Sequence, residues 1–276
     1  MFFVNIEEVI PESNIVCVSP HYDDFLFFLG NYVLEMKSKG FLDSKRFTNI
    51  STFSRSNYQQ RDVEGNNDRG LSRVKYATGI RLIEDLECLD DLLGLHNYTY
   101  QVMGEEESKV RGKELIQGGG EMEMALGSYE TLEQNDWDIL MRMEACISQI
   151  AASKDTAIIM PLSIKGHIDH FIVREAGART MKRTGNKAAF YFAEDKPYAG
   201  IMTDRDNAIN DEFIARYSLI DRAFQGHPEK LLQLAYQHYP SQVDGVYDIG
   251  VNNRVEQLGQ AYKTAVACDR IYKYEN

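Results

Sequence analysis

The sequence predicts an α/β fold: a Rossmann-like, mainly parallel sheet flanked by helices, in a single domain with loop insertions. Three observations carry this expectation. Short apolar runs rich in β-branched or aromatic residues recur at 15–19, 46–54, 156–163 and 188–194. Stretches with helical periodicity or helical punctuation fall between them, and such alternation favours parallel crossovers. With 276 residues, 43% of them hydrophobic, the chain is large enough to bury one sizeable core.

The elements follow in order. IVCVS at 15–19 is apolar and ends at Pro20, so it reads as a buried strand with its carboxyl end at His21. DDFLFFLGNYVLEMKSKG opens acidic and closes with Lys-Ser-Lys-Gly, the punctuation of a helix. RFTNISTFS at 46–54 is a second strand, 57–70 an Asn/Gly/Asp-rich loop, and 71–94 a helix stopped by Gly94. The stretch 104–128, rich in glycine and glutamate, is expected to be a mobile excursion. Helix resumes over 129–153, a strand occupies 156–163, a helix 168–183 and a strand 188–194. Further helix is expected at 228–238 and between 254 and 266.

A formal charge of −12 provides no basic stripe, which argues against nucleic acid and against anionic membrane surfaces as partners. No apolar run reaches bilayer length, and the N-terminal stretch lacks a basic n-region, so a cytoplasmic location is expected. Cys17, Cys88, Cys146 and Cys268 lie far apart without CxxC spacing, which reads as reduced, mostly buried thiols.

Two segments concentrate the chemistry. Ser19-Pro20-His21-Tyr22-Asp23-Asp24 ends the first strand, and His167-Ile168-Asp169-His170 follows the strand at 156–163. Ligands in open α/β sheets collect beyond the carboxyl ends of strands. If the two strands are close, three imidazoles and three carboxylates converge, a donor set suited to zinc. His21 and Asp24 can reach one ion and His170 can complete the triad, leaving Asp23, His167 and Asp169 for proton transfer. Taken alone, HxDD is also a helix N-cap and HxDH a solvated helix start. His96, His227 and His238 read as surface or core histidines, and Glu105-Glu106-Glu107 as a solvated charge run. Gly118-Gly119-Gly120 has no P-loop context, and neither Ser19 nor Ser163 sits in a nucleophile elbow.

The first segment resembles the (A/P)HPDD signature of the LmbE-like, or PIG-L, zinc-dependent N-deacetylases, and the second resembles that family's HxDH motif. Thr52-Phe53-Ser54, an Arg81, Glu84, Cys88 and Leu92-Leu93-Gly94 helix, Glu194-Asp195-Lys196-Pro197-Tyr198, and Lys230 with Tyr239-Pro240-Ser241-Gln242 are similar to its further motifs. The resemblance spans roughly 14–245, within one domain over 1–276 whose residues 246–276 read as a C-terminal extension. It implies His21, Asp24 and His170 as ligands of one Zn2+ per chain, a site also open to Fe2+ or Mn2+. It implies Asp23 as the general base for the attacking water. His167 would stabilise the oxyanion or protonate the amine, oriented by Asp169, and Arg81 would be a substrate-facing or structural cation. Tyr22 departs from the usual proline, and Phe25 stands where many members carry Glu or Ala. The implied activity is hydrolysis of the acetamide of an N-acetylated sugar or sugar-like small molecule. A metal-dependent phosphohydrolase and a non-catalytic scaffold are the rival readings, and a homo-oligomer is left open.

Overall fold

The computed structural model describes residues 4–275 apart from 63, 114–115, 119–121 and 184. A short α1 (Ile6–Val9) leads into β1 (Asn14–Ser19), buried at every position from Ile15 onward. Strands covered on both faces require such continuous apolar runs. α2 (Asp24–Lys39) follows after only four residues and is buried through Met36. It stops at Gly40, whose φ of 74° is left-handed, with Lys37 and Lys39 placed favourably in the last turn.

β2 (Arg46–Ser51), α3 (Leu71–Leu93) and β3 (Tyr98–Val102) come next. An antiparallel hairpin of β4 (Ile116–Gly118) and β5 (Met122–Met124) precedes α4 (Gln134–Ala151). The return to the sheet is made by β6 (Thr156–Pro161), α5 (Ile168–Met181) and β7 (Ala189–Ala193). The last part contributes α6 (Asp204–Arg216), β8 (Leu219–Gln225), α7 (Pro228–His238), α8 (Gly245–Tyr262) and β9 (Cys268–Tyr274).

The seven-stranded sheet has the order β3-β2-β1-β6-β7-β9-β8. Neighbours from β3 to β7 are parallel, while β9 runs antiparallel to both β7 and β8. The chain therefore moves outward from β1 to β3, then returns to place β6 against the other side of β1, in register from Asn14 with Thr156 to Cys17 with Ile159. This reversal is the topological switch point where open sheets form their crevice. Successive side chains of β6 alternate faces: Ala157 and Ile159 join the core beneath α2, α3 and α7, whereas Ile158 and Met160 join the core beneath α4 and α5. α5 lies hard against β6 because Gly177 leaves room, since a Cβ there would fall 1.8 Å from Met160 Sδ.

The alternation of strands and helices around a mainly parallel sheet was expected, and it is present. The short α1, the hairpin β4–β5 within the expected excursion, and β3, α6, β8 and β9 were not foreseen. β3 is a half-exposed edge strand, and β8 and β9 interleave charged and apolar residues, so none forms a continuous apolar run. The helix expected at 254–266 lies at 245–262, and the segment read as an extension supplies β9, a strand inside the sheet between β7 and β8. Parts of the 57–70 loop and of the 104–128 excursion, Gly119 and Gly120 included, lie outside the described residues. All four cysteines are free, three of them buried, and among the described residues no helix is long and apolar enough to cross a membrane.

Candidate metal centre

β1 ends at Ser19 and α2 begins at Asp24, so four residues turn the chain over the carboxyl edge of the sheet. Asp24 closes this turn, its Oδ2 accepting the backbone N–H of His21 at 2.7 Å. Beyond β6, Ser163 and Lys165 take positive φ (59° and 62°), a strained turn that delivers His167 to the start of α5. His167 caps that helix, its Nδ1 accepting the backbone N–H of Asp169 at 3.2 Å. Because β1 and β6 are adjacent, all six candidate residues meet in the crevice between their ends.

His170 Nε2 lies 3.2 Å from His21 Nδ1 and 3.5 Å from Asp24 Oδ2, and His21 Nδ1 lies 3.7 Å from Asp24 Oδ2. A tetrahedral zinc with bonds of ~2.0–2.1 Å needs donors about 3.3 Å apart. The other nitrogen of each ring is held by a carboxylate: His21 Nε2 sits 3.1 Å from Asp169 Oδ2, and His170 Nδ1 bonds Asp195 Oδ1. Such outer partners place the N–H on the far nitrogen and leave a lone pair facing inward. At 3.2 Å the two facing nitrogens share either a proton or a cation, and a divalent ion can take the proton's place. The donor set thus fits a divalent ion. His167 joins His21 and His170 in a wider set, with donor atoms within 4.8 Å of one another.

The electrostatics agree. Burial alone would lower the His170 pKa, yet Asp24 and Asp195 outweigh it and push it up to about 9. Burial raises Asp24 to about 6 against the pull of both histidines. The cluster therefore captures positive charge. His167 is different: burial holds its pKa well below the usual value, so it is a neutral imidazole at pH 7. With its Nδ1 occupied as an acceptor, its proton is on Nε2, where it can donate to a ligand.

Above the donors lies a cavity of about 150 Å³ whose lining includes His21, Asp23, Arg81, Glu107, His167 and Tyr247. Asp23 is buried, accepts the Tyr247 hydroxyl at 3.2 Å and has Arg81 Nη2 at 3.8 Å. Arg81 is buried too, donating to Gln242 at 2.7 Å and Ser56 at 2.6 Å and pairing with Glu107. The expected solvated run 105–107 is thereby corrected. Glu107 is only 5% exposed, held between Arg81 and Ser56, while Glu105 and Glu106 pair with Arg142 and Arg55.

The Asp169 carboxylate turns to His21, Arg111 and the backbone N–H of Ser108, and what it offers His167 is only its backbone N–H. The departures at 22 and 25 are packing residues: Tyr22 bonds the Ser54 carbonyl at 2.7 Å, and Phe25 meets Phe47 edge-on within the core. His227 and His238 pair with Glu35 and Asp91 outside the cleft. Residue reading alone missed Glu107, Ser108, Arg111, Tyr58 and Tyr247, none of which belongs to a motif. Asp195 carried a signal in the Glu-Asp-x-Pro-Tyr segment.

No family model matches the chain, and no curated protein is matched. Solved structures do match. A teicoplanin deacetylase, solved in a zinc-inhibited form, aligns over 94% of this chain and 97% of its own, with 18% identity and a TM-score of 0.65. A deacetylase of an antimicrobial pseudoaglycone aligns over 96% and 99%, with 18% identity and a TM-score of 0.62. The N,N'-diacetylchitobiose deacetylase of Pyrococcus horikoshii aligns over 97% and 86%, with 11% identity and a TM-score of 0.51. The chain has the fold of these deacetylases. In this deacetylase fold the crevice between β1 and β6 holds the donor triangle and the cavity above it.

Proposed function

We propose that the protein is a metal-dependent amidohydrolase, an N-deacetylase acting on an N-acetylated sugar or sugar-like small molecule. The observation that carries the reading is the triangle of His21 Nδ1, Asp24 Oδ2 and His170 Nε2, with 3.2–3.7 Å edges and outer carboxylates on both rings. We assign these three residues as ligands of one zinc; Fe2+ and Mn2+ suit the same donors. A divalent ion there supplies Lewis acidity that polarises an amide carbonyl and lowers the pKa of water. Asp23, lining the cavity beside the triangle, accepts the proton of the attacking water and returns it to the departing amine nitrogen as the C–N bond breaks. His167, neutral with its proton on Nε2, donates to the developing oxyanion, which its geometry supports better than delivery of a proton to the amine. Asp169 orients the ligand His21.

The two imidazoles of the donor triangle favour zinc over magnesium, which disfavours the phosphohydrolase reading. Four free cysteines support a reducing, cytoplasmic setting. The test is metal content by plasma mass spectrometry together with acetate release from a panel of N-acetylated sugars. About one zinc per chain and measurable acetate are expected, both lost in Asp24→Ala. A wild-type protein that takes up no zinc on titration overturns the reading.

A further inference from the structure

The segment that leads from β3 toward the hairpin belongs to neither strand-end motif, yet it reaches the deepest layer of the site. Arg55 and Glu106 form a bridge, with Arg55 N donating to the Glu105 carbonyl and Glu107 N to the Arg55 carbonyl. From there the chain turns through backbone bonds from Arg111 to Glu107 and from Lys113 to Ser108. This turn aims the Arg111 side chain inward, where it is 1% exposed. Its Nη2 donates to Asp169 Oδ1 at 2.7 Å, its Nε to Asp136 Oδ1 at 3.2 Å, and its Nη1 to the Glu106 carbonyl. The guanidinium also lies 4.8 Å from the centre of the Phe53 ring.

Asp169 is fully buried and receives three donors: Arg111, the Ser108 N–H at 3.0 Å and His21 Nε2 at 3.1 Å. Two of the three come from residues 108–111. Without the two donors from residues 108–111 the carboxylate would be free to turn away from His21. A rotated Asp169 would no longer hold the N–H on His21 Nε2, and the inward lone pair of Nδ1 would be lost in part of the molecules.

We propose that Arg111 is a positioning residue of the metal centre, fixing the Asp169 carboxylate and through it the tautomer and orientation of His21. The inference rests on the proposed ligand role of His21. It makes docking of the 106–113 segment part of assembling the site, so ion affinity depends on a segment that touches no ion.

The test is zinc affinity of the full-length protein by chelator competition, with the visible absorption of the cobalt(II)-loaded protein as a second readout of coordination geometry. Arg111→Met is expected to lower zinc affinity about 10–100-fold, as loss of outer-shell partners does, and to alter the cobalt spectrum of a protein still folded by circular dichroism. Arg111→Lys, which keeps the charge without the planar fork, is expected to fall between the two. If Arg111→Met does not fold, Arg111→Lys decides, because one ammonium cannot reproduce the paired contacts to Asp169 and Asp136. Wild-type affinity and spectrum in a folded variant overturn the proposal while leaving the metal reading intact. A wild-type protein that binds neither zinc nor cobalt overturns both.

Discussion

The floor of the cleft and its wall are built by different means. The floor takes His21, Asp23 and Asp24 from one strand end and His167, Asp169 and His170 from the next, so two short segments on adjacent parallel strands supply it. Backbone contacts fix much of it, including the His21 N–H on Asp24 and the Asp169 N–H on His167. The wall gathers Tyr58, Arg81, Glu107, Gln242 and Tyr247 from separate parts of the chain. Side-chain bonds such as Arg81 to Gln242 and Tyr247 to Asp23 hold it together. Topology places the reacting groups, whereas the groups that face a substrate depend on many independent contacts. Such walls can change substrate choice without disturbing the chemistry beneath.

The comparison breaks most completely at a ligand. Asp24→Ala removes both an ion donor and the acceptor that closes the His21 turn, and is expected to abolish metal uptake and acetate release together. Retained zinc in that variant, measured by mass spectrometry, would transfer the third ligand role to His167. Asp23→Asn is expected to separate the two properties. It should keep the metal and the fold while kcat falls by about 10²–10⁴, the usual cost of removing a general base. Unchanged turnover with full zinc content would remove Asp23 from the mechanism.

The same contrast decides what was legible in the sequence. Both floor segments could be read because strand ends, helix caps and metal donors leave compact local patterns such as HxDD and HxDH. Of the five parallel strands, β1, β2, β6 and β7 are largely buried and were visible as apolar or β-branched runs, whereas the half-exposed edge β3 was not. Glu107 looked like one of three solvated acids because nothing local announces that Arg81, 26 positions earlier, will pair with it. Arg111 was silent for the same reason: its partners Asp136 and Asp169 lie 25 and 58 positions away. Tyr247 fell in a stretch read as an extension, although α8 turns it onto Asp23.

A buried ion cluster joins wall to floor. Glu194, at the end of β7 and next to Asp195, pairs with Arg254 of α8 and Arg270 of β9. Burial raises its pKa, but Arg270 and Arg254 prevail and hold it at about 2 against an ordinary 4.5. A depressed folded pKa contributes stability above the unfolded value and loses it as pH falls. The contribution, about 3 kcal/mol at neutral pH, is therefore complete above pH 4.5 and disappears as pH falls toward about 2. Glu194→Gln leaves the buried Arg254 and the partly exposed Arg270 without their carboxylate, so urea unfolding at pH 7 is expected to show a loss of about 3 kcal/mol. The gap between variant and wild type should narrow steadily below pH 4.5. A gap that stays constant with pH would mean the glutamate acts through packing alone.

The smallest expected effect gives the sharpest view of where floor ends and wall begins. Tyr247 belongs to the wall by position but donates its hydroxyl to Asp23 of the floor. Burial, followed by the neighbouring Asp23 charge, pushes its pKa well above the usual value, so it remains a neutral donor throughout the working range. Tyr247→Phe keeps the ring and its contact with Phe27 at 5.0 Å while deleting that one bond. Hydrogen bonds to charged groups contribute about 1.5–3 kcal/mol, and 3.2 Å is long for one, so the low end applies, about tenfold in kcat. Metal content should be unchanged and KM little altered, because the group lost aims the base rather than holding the substrate. If steady-state kinetics instead show a raised KM with kcat intact, Tyr247 acts on the substrate, and the boundary between the two regions runs between its hydroxyl and Asp23.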